Sequence, residues 1–307
     1  QAGVVSALHA LPDHAIIRLA TAPEIECQLR SVHASAPGDR HVLLAGATHA
    51  ERGRLGVPPP RDCWSGLGDW RWRDGVVWQA PRLRCGIPLD TASPWNRGVD
   101  VERVQPSGRF SAQEITEIVQ RLDQAMQVIT QASALMAHVV VRLTRVIVPV
   151  KRSGARHGSY SASLYPYLTG LISPLDPAAG PGVLAESLVH EAIHSAISLS
   201  VPDRVIEDDD HNTVAVCSPW TGARLLPRSY TEACMVWFGL AGFWEKAWQT
   251  GALDPQECRI RLAFIASGFR QGRLLDALGE RQHQLQPGLA ALIDALQAER
   301  LSLRDCA

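Results

Sequence analysis

The chain has 307 residues, of which 46% are hydrophobic and 20% are charged, a balance that is typical of folded globular proteins. Its formal net charge is -1, so it lacks the basic excess of nucleic-acid-binding proteins, and we expect no nucleic-acid partner. No stretch of sequence approaches the ~20 consecutive apolar residues of a membrane-spanning helix, so we expect no membrane partner either.

The cysteines and the first residues indicate a cellular location. The seven cysteines form no C-x-x-C pair, which favours free thiols in a reducing compartment over a disulfide framework. The first residues, QAGVVSALHALPDHAII, lack the basic region and the apolar run of a signal peptide. We expect a cytoplasmic protein, with an export signal that has already been removed as the alternative. Arginine outnumbers lysine 28 to 2 among the 30 basic residues, which suggests a GC-rich bacterial genome.

Residues 1–105 are interpreted as a mixed segment rich in tryptophan and arginine. Five of the nine tryptophans lie between positions 64 and 95. The runs Val42–Leu44 and Gly75–Trp78 suit short strands between turns. The tryptophans are predicted either to form a core or to line an aromatic surface that recognises a peptide or a base. A core is the commoner use of such residues, and the interleaved arginines keep the second alternative open: Arg71, Arg73, Arg82 and Arg84.

Residues 106–307 are predicted to be mostly helical, which gives the whole chain an α+β fold. Ser111 and Glu114 have the spacing of a capping box, and apolar residues at helical spacing extend that helix to about His138. The β-branched run Val139–Val150 predicts a buried strand. The pattern then predicts a strand at 168–172 and helices that begin near 181 and 229, followed by helices at about 254–268 and 285–303.

The residues with the clearest chemical meaning are His190-Glu191-Ala192-Ile193-His194, an HExxH motif. Residues four apart lie on one face of a helix, so both imidazoles can bind one metal ion. Apolar neighbours such as Leu188 and Ile197 would hold this helix in a core. The alternative is a helix that carries two partly exposed histidines without a metal.

A metal site of this type needs a third protein ligand. The continuation of the motif that is typical of metzincins needs Gly at 197 and His at 200, but the chain has Ile197 and Ser200, which excludes that class. Glu232 opens the apolar helix SYTEACMVWFGLAGFWEKAW and is our candidate, although it would also suit the positive end of a helix dipole. The competing candidates are Glu207, Asp208, Asp209, Asp210 and His211, in a run that is more typical of a solvated loop.

Two histidines and one carboxylate are compatible with two kinds of chemistry. With Zn²⁺, Glu191 would be the general base that activates water for peptide hydrolysis, as in a His-His-Glu metallopeptidase. With Fe²⁺, the same ligands form a facial triad with open positions for a co-substrate and O₂. The spacing does not separate these alternatives. A third hypothesis is a peptide-binding scaffold that retains a vestigial metal site.

The sequence around the motif resembles a known family. AESLVHEAIH is preceded by HGSYSASLYPYLTGLISPLD and followed by Ser218-Pro219-Trp220, by Gly222-Ala223-Arg224-Leu225 and by the helix YTEACMVWFGLAGFW. This order is similar to that of the HEXXH-motif family, the αKG-HExxH-type peptide β-hydroxylases of ribosomal peptide (RiPP) biosynthesis. The resemblance covers roughly residues 110–250.

The resemblance implies an Fe(II)- and 2-oxoglutarate-dependent dioxygenase that uses O₂ to hydroxylate the β-carbon of a residue in a precursor peptide. His190 and His194 match the family's metal ligands, and Glu232 stands where relatives tend to have histidine. Glu191 would then support the site rather than activate water. The histidines lie on a helix, so we do not expect the double-stranded β-helix that is common among 2-oxoglutarate oxygenases.

Such an enzyme also needs a cation for the distal carboxylate of 2-oxoglutarate. Arginine binds a carboxylate through two parallel hydrogen bonds, which lysine cannot do. Arg224 and Arg228 lie between the two candidate ligand segments and are our candidates, against the alternative that they are ordinary surface residues. Ser159, Tyr160 and Ser161 are candidates to line the same pocket, although a structural loop is the commoner use of such residues.

Overall fold

A computed structural model describes residues 2–23, 25, 37–94, 110–151, 161–162, 166–200 and 215–302. The predicted boundary between residues 105 and 106 lies outside these ranges, so the division into segments 1–105 and 106–307 stays a prediction. The described residues cluster into two compact units. Unit 1 comprises Gln1–Met126 and His138–Ser195, and unit 2 comprises Gln127–Ala137 and Ala196–Ala307.

The fold is mixed α+β and mostly helical, as the sequence predicts. The helices described are α1 (Ala2–His9), α2 (Asp13–Ala20), α3 (Pro37–Arg54), α4 (Ala112–Ala132), α5 (Ala134–Leu143), α6 (Pro181–Ser200), α7 (Pro227–Gln249), α8 (Pro255–Phe269) and α9 (Pro287–Ser302), with a 3-10 helix at Leu274–Gln284. Within the described ranges, no helix is both long and apolar enough to cross a membrane.

The strands form small sheets. They are β1 (Cys63–Trp64), β2 (Trp70–Arg73), β3 (Val76–Gln79), β4 (Val146–Val150), β5 (Ser161–Ala162), β6 (Leu168–Ile172), β7 (Val216–Cys217) and β8 (Arg224–Leu225). Their orders are β1-β2-β3, β4-β6-β5 and β7-β8. In the part of the chain that the structure describes, no sheet closes into a barrel.

The first sheet carries the tryptophan-rich sequence. Trp70 is 3% exposed and packs with Ala50 and Cys63, as expected of a core residue. The Trp64 and Trp78 rings meet edge to face with centroids 5.4 Å apart and are only half-buried. The tryptophans are therefore divided between a core and a partly exposed aromatic cluster.

Two sequence-based element predictions are wrong. Val42–Leu44 lies inside α3 and not in a strand, because a short apolar run does not distinguish the two structures and its neighbours continue a helical pattern.

The Ser111–Glu114 capping box is confirmed, with Ser111 N donating to Glu114 at 2.7 Å and Glu114 N to Ser111 Oγ at 3.2 Å. However, the helix breaks after Ala132, and α5 occupies the first part of the predicted strand Val139–Val150, so that β4 begins only at Val146.

The sheet β4-β6-β5 belongs to unit 1 and joins segments that are distant along the chain. β6 pairs parallel with β4 and antiparallel with β5. On the other side of β4, Asp90 N donates to Ile147 O at 2.8 Å and Ile147 N donates to Pro88 O at 3.0 Å. These bonds attach the chain after the tryptophan-rich sheet to strand β4.

Unit 2 has an aromatic core around α7 and α8. The Trp220 indole stacks on Trp237 at a centroid distance of 5.7 Å and meets Phe269 edge to face at 5.0 Å. Its Nε1 donates to the Ile265 carbonyl at 2.8 Å. Gly268 lies directly against the indole, where a Cβ atom would overlap the ring. The close approach of α8 to Trp220 therefore depends on the missing side chain at position 268.

Candidate metal centre

Helix α6 carries the HExxH motif in a largely buried position. It begins at Pro181, whose fixed φ suits the first residue of a helix. Leu184, Leu188 and Ala192 are each at most 1% exposed and recur at helical spacing, so they anchor one face of the helix in unit 1. The motif therefore lies on a helix that is fixed by its own apolar face.

The two histidines are brought together as the spacing predicts. The His190 and His194 rings lie one turn apart, with centroids separated by 4.9 Å and planes inclined by 50°. The His190 side chain is 27% exposed, and His194 is half-buried. This separation suits binding of one metal ion by both imidazoles, and the partial exposure gives an ion access to the pair.

Glu191 lies between the histidines in sequence but inside the protein. It is 3% exposed, and its Oε1 lies 4.0 Å from His190 Nε2. Burial raises the pKa of this carboxyl, while the charge of His194 and a hydrogen bond from the Ser161 side chain act in the opposite direction. Ser161, on strand β5, is one of the residues that the sequence suggests for the pocket lining, and its neighbours Ser159 and Tyr160 lie outside the described residues.

A further contact fixes the turn that carries His194. Ser195 is 2% exposed, and its Oγ accepts a hydrogen bond from Tyr167 N at 3.0 Å. Tyr167 has φ +67°, which is a strained conformation for a bulky residue. Sequence reasoning found neither residue, because the link depends on the pairing of a helix and a strand that are distant along the chain.

The predicted third ligand lies in the other unit. Glu232 belongs to unit 2, and its Oε1 accepts from Arg228 Nε at 3.0 Å. Among the described residues, no group of three or more His, Cys, Asp and Glu side chains is arranged to hold a metal. The run from Glu207 to His211 lies outside those residues. The structure thus provides two clustered nitrogen ligands, and the third ligand stays a prediction.

The two predicted carboxylate anchors also lie in unit 2. Arg224 is exposed on strand β8. Arg228 is 42% exposed and forms an ion pair with Glu232, four residues further along α7. The pairing shows that Arg228 already has a carboxylate partner within the chain.

Sequence reasoning missed a cation in unit 1. Arg145 lies between α5 and β4, immediately before the apolar run Val146–Val150, and its Nε is buried with no hydrogen-bond partner. The available signal was a charged residue at the entrance of a buried strand. In a chain with 28 arginines, that signal does not stand out.

Comparison with known proteins gives no assignment. The chain matches no family model, and none of the curated proteins matches it. The functional interpretation is therefore based on the geometry of the HExxH helix and on the resemblance of its surrounding sequence.

Proposed function

We propose that the chain is an Fe(II)/2-oxoglutarate-dependent oxygenase that hydroxylates the β-carbon of a residue in a ribosomally made precursor peptide. The observation that carries the metal assignment is the His190–His194 pair, with ring centroids 4.9 Å apart on a buried helix. The choice of iron and 2-oxoglutarate is supported by the resemblance of the surrounding sequence to peptide β-hydroxylases.

The residues of the chain supply part of what an Fe(II) centre needs. Two imidazoles supply two of the three protein ligands of a facial triad, and Glu232 stays the third ligand that the sequence predicts. Iron with 2-oxoglutarate and O₂ would supply the oxidising power to replace a C–H bond by C–OH. The role of the chain is to hold the histidine rings on one side of α6 and to present the peptide to them.

Glu191 has a supporting role in this proposal. Its carboxyl lies 4.0 Å from His190 Nε2 and is 3% exposed, so its environment is far less polar than water. When ionised, a carboxylate in such surroundings strengthens the electron-donating power of neighbouring imidazole ligands. Glu191 would therefore stabilise a cation held by His190 and His194 without binding it directly.

We propose that the tryptophan-rich sheet of unit 1 contacts the precursor peptide. Strand β3 is an edge strand, and its Val76 and Val77 are 67% and 45% exposed. Beside it, the Arg71 guanidinium lies 5.1 Å from the centre of the Trp64 ring. An apolar edge strand can pair with an extended peptide through main-chain hydrogen bonds.

One observation favours a zinc metallopeptidase as a second candidate. The Glu191 carboxyl, which has a hydrogen bond from the Ser161 side chain, lies 4.0 Å from His190 Nε2. In zinc peptidases with an HExxH motif, the glutamate is the general base. Burial raises the pKa of Glu191, in the direction that suits a base operating near neutral pH.

Isotope labelling separates the two candidates. The full chain, loaded with Fe²⁺, is mixed with 2-oxoglutarate and the precursor peptides encoded near its gene under ¹⁸O₂, and the products are analysed by mass spectrometry. The oxygenase proposal predicts one ¹⁸O atom in an uncleaved peptide and none in a His190→Ala control. In a parallel reaction, the zinc-loaded protein is incubated with the same peptides in H₂¹⁸O. Cleavage products that contain ¹⁸O from water would refute the oxygenase proposal and support the metallopeptidase.

A further inference from the structure

The hairpin of β2 and β3 determines which main-chain groups of β3 pair with β2. Its turn consists of residues 74 and 75, with φ of +50° and +81°, the positive values of a type I′ turn. The residues that flank such a turn, here Arg73 and Val76, exchange main-chain hydrogen bonds, and the exchange recurs at every second residue. A bond from Ala80 N to Asp69 O at 3.0 Å continues this pattern. The even-numbered residues of β3 therefore bond to β2.

The odd-numbered residues of β3, Val77 and Gln79, direct their N–H and C=O groups away from β2. Both residues are exposed, and no described residue forms a hydrogen bond with these four groups, which we call the open edge. It ends at the turn on one side and at Leu89 on the other, where Leu89 N donates to Pro81 O at 2.8 Å. Unpaired groups of an edge strand bind another extended main chain.

A row of aromatic and cationic side chains lies beside the open edge on the outer face of the sheet. The pairing register places Trp64, Arg71 and Trp78 next to one another across the three strands. The Arg71 guanidinium lies 5.1 Å from the centre of the Trp64 ring. Trp70 and Cys63 belong to the opposite face and are buried, because side chains alternate between the faces of a strand. A strand added to β3 would place the next side chain of the row opposite Trp78.

The position opposite Trp78 favours a particular class of side chain. Because Trp78 bonds to β2, it takes a non-hydrogen-bonded position towards an added strand, where opposite Cα atoms are only about 4.5 Å apart. Aromatic and β-branched side chains form favourable cross-strand pairs with an aromatic residue. Val76 and Val77, which are 67% and 45% exposed, add apolar surface on both faces of the strand. The open edge therefore favours an apolar partner.

The charges of the hairpin balance one another. Arg73 Nε lies 3.5 Å from Asp62 Oδ2 and 3.3 Å from Asp74 Oδ2, and Arg71 lies 3.9 Å from the same Asp62 oxygen. Two arginines thus face two aspartates, so the hairpin favours neither an acidic nor a basic partner. A stable interface between two folded proteins needs about 20–30 residues on each side, whereas the open edge offers two. It suits a short, uncharged peptide segment better than a second copy of the chain.

We propose that an uncharged, extended segment of the precursor peptide pairs antiparallel with β3 at Val77 and Gln79 and places an aromatic or β-branched side chain opposite Trp78. The inference rests on the peptide contact in the proposed function and adds the main-chain groups, the strand direction and the side chain that is selected. Antiparallel addition continues a sheet in which both strand pairs are antiparallel.

The probe is a set of peptides selected from a random heptapeptide library on phage, because selection on the metal-free full chain needs neither iron nor turnover. We expect uncharged peptides with an aromatic or β-branched residue at one position. Precursor peptides encoded near the gene should displace them from the protein. Fluorescence anisotropy of the labelled peptides gives the Kd.

A proline substitution tests the main-chain hydrogen bonds. Gln79→Pro removes the outward N–H and leaves the bonds to β2 intact, since proline is tolerated on an edge strand when its nitrogen faces solvent. We expect the Kd to rise about tenfold or more, because one hydrogen bond is lost and the proline ring takes its place. Gln79→Ala is the matched control, because it changes the side chain but keeps the N–H. It should raise the Kd no more than about twofold.

Amide exchange tests the same edge without a substitution. In a ¹⁵N-valine-labelled chain, the Val76 amide should exchange slowly because it bonds to β2, and the Val77 amide should exchange fast. A selected peptide should slow exchange at Val77 about tenfold or more and leave Val76 unchanged. Equal protection of the two amides in the peptide-free protein would overturn the inference.

The remaining outcomes also decide the inference. It is wrong if selection gives no peptide or mainly charged ones, if Gln79→Pro binds the selected peptides as tightly as the wild type, or if Val77 becomes protected at high protein concentration, which would indicate pairing of two copies. Hydroxylation of a precursor peptide that is unchanged in Gln79→Pro would refute the inference and leave the oxygenase proposal standing. Binding that depends on the open edge, in a chain that releases no succinate with Fe²⁺, 2-oxoglutarate and O₂, would support the inference and refute the oxygenase proposal.

Discussion

The Ser161 side chain forms a hydrogen bond with the carboxyl of Glu191. This bond joins the edge strand β5 to the HExxH helix, and its residues are 7% and 3% exposed, respectively. A two-residue strand thereby restrains the one acidic side chain of the motif. Because the bond is buried, it constrains the carboxyl more firmly than the same contact would at the surface.

A double-mutant cycle should detect this contact. Ser161→Ala leaves Glu191 without its donor, and we expect the free energy of unfolding to fall by about 1–3 kcal/mol. In a Glu191→Gln background the same change should cost clearly less, so the coupling energy should be about 1 kcal/mol or more. Urea unfolding of the four proteins measures it.

Ser187 provides the matched control for that cycle. It lies on the same helix, is 6% exposed, and donates to the Val183 carbonyl at 2.9 Å. Ser187→Ala should therefore show no coupling with Glu191→Gln. Equal coupling energies for the two serines would mean that Ser161 does not act through Glu191.

Metal affinity should depend on the histidine pair and on Glu232. We expect His190→Ala and His194→Ala each to abolish tight binding of Fe²⁺ or Zn²⁺, because each removes one of two adjacent ligands. Glu232→Gln should weaken binding about tenfold or more if the carboxylate is a ligand. Competition with a chromogenic chelator gives the affinities.

Arg228→Gln is the control for the carboxylate. It breaks the ion pair with Glu232 but leaves the carboxylate in place. Unchanged metal affinity in Glu232→Gln would show that Glu232 is not a metal ligand and only pairs with Arg228. The candidates for the third ligand would then be the residues from Glu207 to His211.

Asp90 should make the stability depend on pH. It is 2% exposed, and burial raises its pKa above the ordinary 3.8, against hydrogen bonds from Ser93 and Ala92. The folded state therefore holds this proton more tightly than the unfolded state. The resulting stability is present below about pH 3.8 and is lost as the pH rises through the folded-state pKa.

Asp90→Asn should remove this pH dependence. We expect its free energy of unfolding, relative to the wild type, to increase as the pH is raised from about 3.8 towards neutrality. Asp74→Asn, at a side chain that is 83% exposed, controls for the loss of a carboxylate. Parallel pH profiles for Asp90→Asn and the wild type would show that Asp90 titrates alike in both states.

A side chain at position 268 should lower the stability of unit 2. A Cβ atom there overlaps the indole of Trp220, so Gly268→Ala should destabilise unit 2 by about 1–3 kcal/mol through overpacking. Gly288→Ala is the control, because its Cβ would meet no atom within 4 Å. Chemical unfolding followed by tryptophan fluorescence compares the two, and equal stabilities would contradict the packing described for α8.

Sequence predicted best the elements that are determined by local signals. The capping box at Ser111 and the start of α6 at Pro181 each have a chemical marker within a few residues. The strand predicted for Val139–Val150 was wrong in its first part because burial on one face determines the structure there. Val140 is 1% and Ala137 is 9% exposed, a spacing that a helix buries on one face, and this packing overrides the strand preference of β-branched residues.

The candidate site was predictable only where it lies within one helix. The i, i+4 spacing of His190 and His194 is set by local helix geometry, so the closeness of the two rings follows from the sequence alone. Arg145, Tyr167 and Ser195 meet through hydrogen bonds between a strand end, a strained residue and a helix. No periodicity records such long-range pairing, because it depends on the tertiary fold.

The most direct test of the central claim is succinate release from 2-oxoglutarate. The full chain is loaded with Fe²⁺ without oxygen, combined with 2-oxoglutarate and candidate precursor peptides, and then exposed to O₂, beside His194→Ala and a zinc-loaded sample. The account predicts succinate in the iron-loaded wild type and none in either control. Absence of succinate from the iron form, with peptide cleavage by the zinc form that His194→Ala abolishes, would contradict it.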